Sequence, residues 1–407
     1  MNSEANAMQA PGRITQFFLD ARPDDWGLLL SASASAYGVG LLAMLVLPFM
    51  IGATMNGLGL DEAQAGFLGT VEFLGVTVAS LLAAPFIGRL PRRNLALAGA
   101  ALAIIGNGLS AMQSSYEVLL FIRAAVGFGC GLALAAGNAT VANAENPEKL
   151  AAQMSMLFVV LMVVTMTGFA RVSDLWSYKG VYGALAACML VMALFIFRLP
   201  QGTGQVHSTV EHPHAHRGIL SISGMFMLFA MFAFALRDTM MWAFAERIGN
   251  GVGYGPDDLG MLFSMQAVIG IVGPLVASLV GSRYGLRLPV LLGIVLTGMV
   301  TFTILQSSKA IVPYSVGVLF ISGTYFYTLS YLTALAAELD TQGRIVAASG
   351  GFLVAGVAFG PAVSGALIVR GGYELSSWVN VGIVAITLLL ILVPLRAVGR
   401  KAEAISS

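Results

Sequence analysis

The chain has 407 residues, of which 57% are hydrophobic and 10% charged, with a formal net charge of +1. Soluble domains carry about 45–50% apolar and about 25% charged residues, so a soluble globular protein is excluded, and no basic excess is present for a nucleic-acid partner. Cys130 and Cys188 both lie inside apolar runs, where packing is the expected use and a disulfide framework or redox pair is not.

The first 27 residues are polar, carry Asp20, Asp24 and Asp25 just ahead of the first apolar run, and show no short apolar core with a cleavage site. They are read as an uncleaved cytoplasmic segment. Twelve apolar stretches follow, each of the ~20 residues that a crossing needs: 28–53, 64–88, 94–113, 117–139, 152–170, 180–198, 219–243, 258–281, 288–306, 311–335, 346–368 and 376–395. The expected class is an all-α polytopic membrane protein, with six spans over 28–198, a polar linker over 199–218, six spans over 219–395 and a tail over 396–407.

An even number of spans puts both ends on one side. Of the 21 Lys and Arg, 14 fall on the side of the N-terminus; Arg171, Lys179, Arg247, Lys309 and Arg370 fall opposite; Arg123 and Arg237 lie within spans. The excess places both termini in the cytoplasm, with a bacterial cytoplasmic membrane as the expected location.

A shift of 194 residues lays Gly66, Leu68, Thr70, Glu72 and Arg89 on Gly260, Leu262, Ser264, Gln266 and Arg283. This register agrees with the midpoint set by the linker and points to two like halves related along the membrane normal.

Charges inside spans carry the chemistry. Glu72 interrupts the second span, and a charge at bilayer depth costs at least ~2.5–3.5 kcal/mol, so it is read as functional. It lies eight residues, or ~12 Å, below Gln64, while Arg123 lies seven residues, or ~10 Å, below Tyr116, so the two share a depth. They are expected to pair, either as a proton-coupling couple loosened by protonation of Glu72 or as a permanent bridge that fixes helix packing. Arg237 and Asp238 are neighbours in the seventh span and point ~100° apart, so one is expected to face a cavity. Asp238 is preferred, because Met231, Phe234, Met241 and Trp242 fall on its side; the other reading is an early helix end where both residues cap the helix among headgroups. Glu246 is expected at the membrane interface.

In the tenth span Thr324, Tyr327, Thr328 and Tyr331 recur at i, i+3, i+4 and i+7, one helical stripe. Hydroxyls facing lipid are wasteful, so the stripe is expected to line a wet cavity, with Tyr37, Trp242 and Gln266 as further lining candidates, or to bond another helix. Asn107, Asn138 and Asn380 are read as helix-to-helix bonds. "HPHAH", His212 to His216, lies in the linker without cysteine or repeated carboxylates and is not taken as a metal site. Gly127, Gly129 and Gly131 sit in a span with no preceding strand, so they are read as close helix packing.

Three stretches carry a family resemblance. Between the second and third spans the chain reads "APFIGRLPRRN", in the second half "GSRYGLR", and in the fourth span "RAAVGFGCG". These resemble the motifs of the major facilitator superfamily over nearly the whole chain. Its Gly-x-x-x-Asp-Arg-x-Gly-Arg-Arg motif is kept at Arg89, Arg92 and Arg93, with Gly88 at the aspartate and Pro91 at the glycine position. Ser282, Arg283, Tyr284, Gly285 and Arg287 form the repeat. Arg123, Gly127 and Gly129 match Arg-x-x-Gln-Gly-x-Gly, with Val126 in place of glutamine. The resemblance implies two pseudo-symmetric six-helix bundles, a substrate path lined by spans 1, 4, 7 and 10, a proton-coupling role for Arg123, and cytoplasmic gating loops built on Arg89, Arg92, Arg93, Arg283 and Arg287. The fifth span, "MVVTMTGFA", lacks the Gly-Pro motif of drug/proton antiporters; a similar "GVAFGPAVSG" stands in the eleventh.

The expected function is secondary active transport of a small amphipathic organic solute by alternating access, coupled to protons, with no cofactor or metal, in a monomer embedded in the lipid bilayer. Arg123 or Arg237 would be the counter-charge for an anionic substrate. A multidrug efflux antiporter and a lipid or lysolipid transporter are the alternatives. No metal-ligand set, nucleophile–base pair or cofactor fingerprint argues for an enzyme, and Glu72 argues against a non-transporting receptor of the same fold.

Overall fold

The computed structural model describes residues 23–87, 89–201, 221–281, 283, 285–307, 310–340 and 344–406. Gly88, Ser282, Tyr284, Lys309 and the His212–His216 tract lie outside the described residues. All regular structure among the described residues is helical. Hydrocarbon offers no hydrogen-bond partner, so a spanning segment must satisfy its backbone within itself.

Nine helices among the described residues are long and apolar enough to cross a membrane, and two of them hold two crossings each. Pro147–Ile196 is broken at Ser177 (φ 51°, ψ −151°), and Arg344–Ser406 is broken at Gly371 and Gly372, the latter at φ 67° where glycine carries no Cβ penalty. The first crossing is assembled from short pieces, Trp26–Ser33, a π-helical Ala34–Val39, Leu42–Leu45 and Leu47–Leu58. Counted this way, the described residues are consistent with twelve crossings. The others are Glu62–Ala83, extended by the 3-10 turn Ala84–Phe86, then Arg92–Met112, Tyr116–Ala142, Ile222–Trp242 with Ala245–Gly251, Pro256–Ile269 with Val272–Val280, Arg287–Gln306 and Ile311–Leu339.

The fifth and sixth spans are not separated by the outer loop that hydropathy implies at 171–179. Apolar windows mark only the hydrocarbon crossing, whereas helical hydrogen bonding continues through the interface and one residue in a left-handed conformation reverses the chain. Ser177 is held there by donating from Oγ to the Ala53 carbonyl at 3.3 Å.

Large apolar side chains stand exposed around the outside, among them Phe121 (79%), Met112 (82%) and Leu389 (67%). Patches of this extent suit lipid, not water. The inner surfaces are closed by small residues. Gly127 and Gly131 lie on the Glu72 and Val76 carbonyls of the second span, and Gly129 on the Gly99 carbonyl of the third. In bilayers such small faces permit the close backbone approach that holds helices together.

The 194-residue register has a structural counterpart in the seam between the halves. The Thr70 hydroxyl accepts from the Ala362 N–H at 3.0 Å, joining spans 2 and 11, and Ser264, its repeat partner, bonds Thr167 at 2.9 Å and donates to the Val163 carbonyl at 3.0 Å, joining spans 8 and 5.

Candidate substrate cavity and buried ion pair

A cavity of about 340 Å³ lies between the halves. Its walls come from spans 1, 2, 4, 5, 7, 8, 10 and 11. Six rings face it, Tyr37, Phe73, Phe158, Trp242, Tyr325 and Phe326, together with Asn138, Gln266 and Ser322 and a set of aliphatic and thioether side chains. Among the described residues Asp238 is the only charged side chain in the wall. Tyr37 reaches it because the first span is π-helical there; that irregularity, of the kind often found at functional sites, is pinned by the Ser35 hydroxyl donating to the Ala133 carbonyl at 2.7 Å.

Arg237 and Asp238 stay inside one helix and part company. Asp238 turns to the cavity, and its Oδ1 is buried with no hydrogen-bond partner among the described residues. Arg237 turns away into the second half, 2% exposed. Its Nη1 donates to Thr301 Oγ1 at 3.3 Å, its guanidinium lies 5.0 Å from the Phe234 ring centre, and its Nη2 is left without a partner among the described residues. Arg237 therefore does not line the cavity. The ~100° between neighbouring residues on a helix is the reason.

Glu72 and Arg123 meet in the first half, both 0% exposed. Arg123 grips the carboxylate with two nitrogens, Nη2 to Oε1 and Nε to Oε2, the latter at 3.1 Å. Its Nη1 donates to Asn107 Oδ1 at 2.7 Å and to Ser110 Oγ at 3.4 Å, and the Tyr182 ring centre lies 4.7 Å from Cζ. Every nitrogen of the guanidinium is engaged. Neither residue is in the cavity wall; Phe73 and Val76 of the same helix as Glu72 are.

The seam is sealed on the face opposite the residue 201 and 221 ends. Arg171 pairs with Asp257, its Nε 2.6 Å from Oδ1, Arg247 donates to Asn56 at 2.9 Å, and deeper in, the Trp242 indole donates to the Met44 carbonyl at 3.2 Å. Glu246, expected at an interface with water, is instead buried in this seam over Gly52, 7% exposed, with Asn250 Nδ2 donating to its Oε1 at 2.5 Å. Hydropathy of one segment does not reveal that a second helix covers it.

Comparison with known proteins accords with this architecture. The family model of the Major Facilitator Superfamily matches residues 28–236 and 227–406. The chain belongs to the Major Facilitator Superfamily. It is similar to the uncharacterized MFS-type transporter YtbD of Bacillus subtilis (27% identity over 143 residues, 34% of this chain and 35% of that protein) and to the putative transporter AraJ of Escherichia coli (24% over 177 residues, 42% and 45%). The aligned region thus spans less than half the length of either relative. Three solved structures share the fold at low identity. A bacterial homologue of the human lysosomal transporter Spinster, in an inward-facing and unoccupied conformation, aligns with TM-score 0.69 and 14% identity over 93% of this chain and 96% of its own. The nucleoside transporter NupG gives 0.68 and 13% over 91% and 99%, and a D-xylose-proton symporter 0.65 and 13% over 92% and 97%.

Within this superfamily fold the hydroxyl stripe of the tenth span needs correction as a lining face. Thr328 is fully buried and bonds Thr297 at 2.9 Å; Tyr331 donates to the Gly281 carbonyl at 3.0 Å. Thr324 and Tyr327 border a separate apolar groove of about 560 Å³ beside spans 8 and 9. Thr328 and Tyr331 thus take the second alternative, bonding to other helices, while the Thr324 hydroxyl donates within its own helix, to the Phe320 carbonyl at 3.0 Å. The cavity face of that helix is Ile321, Ser322, Tyr325, Phe326 and Leu329. Tyr325 stacks on Phe234 at 5.0 Å and 19°. Neither Tyr325 nor Asn138 is a lining candidate on sequence; the signal available for Asn138 is its place on the fourth span, one of the four that the family resemblance assigns to the path.

Of the basic gating-loop candidates, Arg93 Nε donates to the Leu199 carbonyl at 2.7 Å. Arg92 is 5% exposed and borders a polar pocket with Asp24, Asp25 and Glu145. Arg89 and Arg283 stand exposed on the same face, and Arg287 opens the ninth span there. Cys130 and Cys188 are free thiols.

Proposed function

We propose that the protein is a secondary transporter that moves a small amphipathic organic solute by alternating access, in exchange with or together with protons. The supporting observation is an aromatic cavity between two halves that are sealed on one face, with one unpartnered carboxylate in its wall among the described residues. A set of walls contributed by both halves is what a rocking motion about a midplane site requires. Asp238 is the coupling group in this reading, since a carboxylate must meet both solute and water in turn to exchange a proton. Glu72 and Arg123, closed on each other, hold the first half rigid. The setting is the cytoplasmic membrane of a bacterium, with the 201 and 221 ends and both termini inside and the protein acting as a monomer.

The test is proton flux in proteoliposomes carrying an entrapped pH-sensitive dye, with an aromatic amine, an aromatic acid and a lysolipid as trial solutes. Wild type is expected to show solute-dependent flux that disappears in Asp238→Asn. Flux that persists in Asp238→Asn removes that residue from coupling. A second reading, lipid or lysolipid transport, is favoured by the apolar groove lined by Ile269, Val276, Leu292, Phe320 and Tyr327; it predicts that the lysolipid alone drives flux.

A further inference from the structure

The transport reading leaves the charge of the solute open, and the unsatisfied groups of the cavity decide it. Two buried wall atoms have no hydrogen-bond partner among the described residues, Asp238 Oδ1 and Gln266 Oε1. Both are acceptors. Gln266 is 2% exposed; its Nε2 donates one hydrogen to the Ser322 hydroxyl, while its carbonyl oxygen has no partner among the described residues. A buried acceptor without a donor is costly, about 1–3 kcal/mol for a neutral group and more for a charged one, so the complement that relieves this wall carries N–H or O–H donors.

Positive charge is absent from the wall among the described residues. Arg123 spends its guanidinium on Glu72, Asn107 and Ser110 behind the Phe73 side of the second span. Arg237 points to Thr301 and Phe234. An anionic solute would therefore meet the Asp238 carboxylate and the free Gln266 oxygen, with no cation in the wall among the described residues to balance it. The expectation that Arg123 or Arg237 serves an anionic substrate loses its geometric basis. The rings, by contrast, suit a cation: Tyr37, Phe73, Phe158, Trp242, Tyr325 and Phe326 present aromatic surface around the same space, and aromatic faces attract ammonium groups once water is excluded. Trp242 and Asp238 are four residues apart on one helix, hence on one face of it.

Resting on the transport reading above, we infer that the solute is an aromatic organic cation, a protonated amine whose ammonium donates to Asp238 and Gln266 while its ring packs among the cavity aromatics. A cavity of about 340 Å³ holds a bicyclic ring with a short amine arm, in the usual range of 300–1,000 Å³ for small-molecule sites.

Three probes with one ring system separate charge from shape: 2-naphthylmethylamine, charged at neutral pH, 2-naphthylmethanol, neutral, and 2-naphthoate, anionic. Binding is measured by equilibrium dialysis against the purified full chain in detergent, with protein-free micelles subtracted. Wild type is expected to bind the amine at least about tenfold tighter than the alcohol and the acid least well; Asp238→Asn loses about tenfold or more for the amine alone, and Asp238→Glu keeps the preference. Asp238→Asn that elutes as a monodisperse species but binds the amine at full strength overturns the inference. Equal binding of amine and alcohol by wild type does so too. The same probes in proteoliposomes keep the two readings apart. Naphthoate or alcohol driven by a pH gradient leaves transport standing and ends the cation assignment, whereas an amine bound through Asp238 but never moved leaves the cation site standing and ends transport.

Discussion

Arg123→Ala is expected to lower the unfolding free energy by about 3–5 kcal/mol, among the largest losses available to one substitution in this chain. The side chain is 0% exposed, and removing it strands the Glu72 carboxylate, also 0% exposed, without its cation. It also frees the carbonyl of Asn107, whose Nδ2 remains bound to the Ala103 carbonyl at 2.9 Å. The pair itself adds little net stability over an apolar substitute of similar shape, because desolvation of both charges opposes their attraction. The double variant Glu72→Gln with Arg123→Gln should therefore recover much of the loss, the non-additivity expected of residues in direct contact. Thermal unfolding in detergent, followed by elution profile after heating, checks this. Equal midpoints for wild type and Arg123→Ala would show that the bridge carries no stability.

Much of this arrangement is readable from the chain. Apolar length marks each crossing, and a rise of ~1.5 Å per residue sets Glu72 and Arg123 at one depth; in the structure their side chains meet. The 194-residue repeat places Thr70 and Ser264 at corresponding points of the seam. Other features need coordinates for a physical reason. A stripe such as Thr324, Tyr327, Thr328 and Tyr331 says that one helical face differs from the rest, but not whether a neighbour or a cavity covers that face. The true lining, Ile321, Ser322, Tyr325, Phe326 and Leu329, is mostly apolar and carries no periodic polar signal. Ser177 turns the chain without the Gly or Pro that usually punctuates a reversal. Glu246 looks interfacial in its own segment and is buried only because the first span crosses over it.

Asp238 and Arg237 show the same limit at the level of charge. Adjacent in sequence, they nearly cancel in any window average. Separated on the helix surface, they give the cavity a negative wall and leave the positive group inside the second half. The sign of the cavity, and with it the solute proposed above, comes from that one turn of geometry.

Gly66→Val is expected to prop the sealed face open. Spans 2 and 11 cross there backbone on backbone: a Cβ at Gly66 would overlap the Pro361 carbonyl, and one at Gly365 would overlap the Glu62 carbonyl. Neither neighbour is the end of a flexible side chain, so the seam cannot absorb the extra atoms without parting. Overpacking costs typically about 1–3 kcal/mol. If the clash exists only while the face is shut, that cost falls on one state alone and shifts the balance between sealed and open by about 5–150-fold. Phe263 reports the shift, being 0% exposed beneath the seam, 5.6 Å from Phe49 and 5.3 Å from Trp242 between ring centres. In a background lacking Cys130 and Cys188, a membrane-impermeant maleimide should label Phe263→Cys at least about fivefold faster when Gly66→Val is present, with Gly365→Leu acting in the same direction. Solute binding to Asp238 should survive while flux is lost, because the cycle stalls at closing and not at recognition. Unchanged labelling in a monodisperse Gly66→Val protein would mean that the helices slide to admit the side chain, and that this crossing is a packing contact without a part in alternating access.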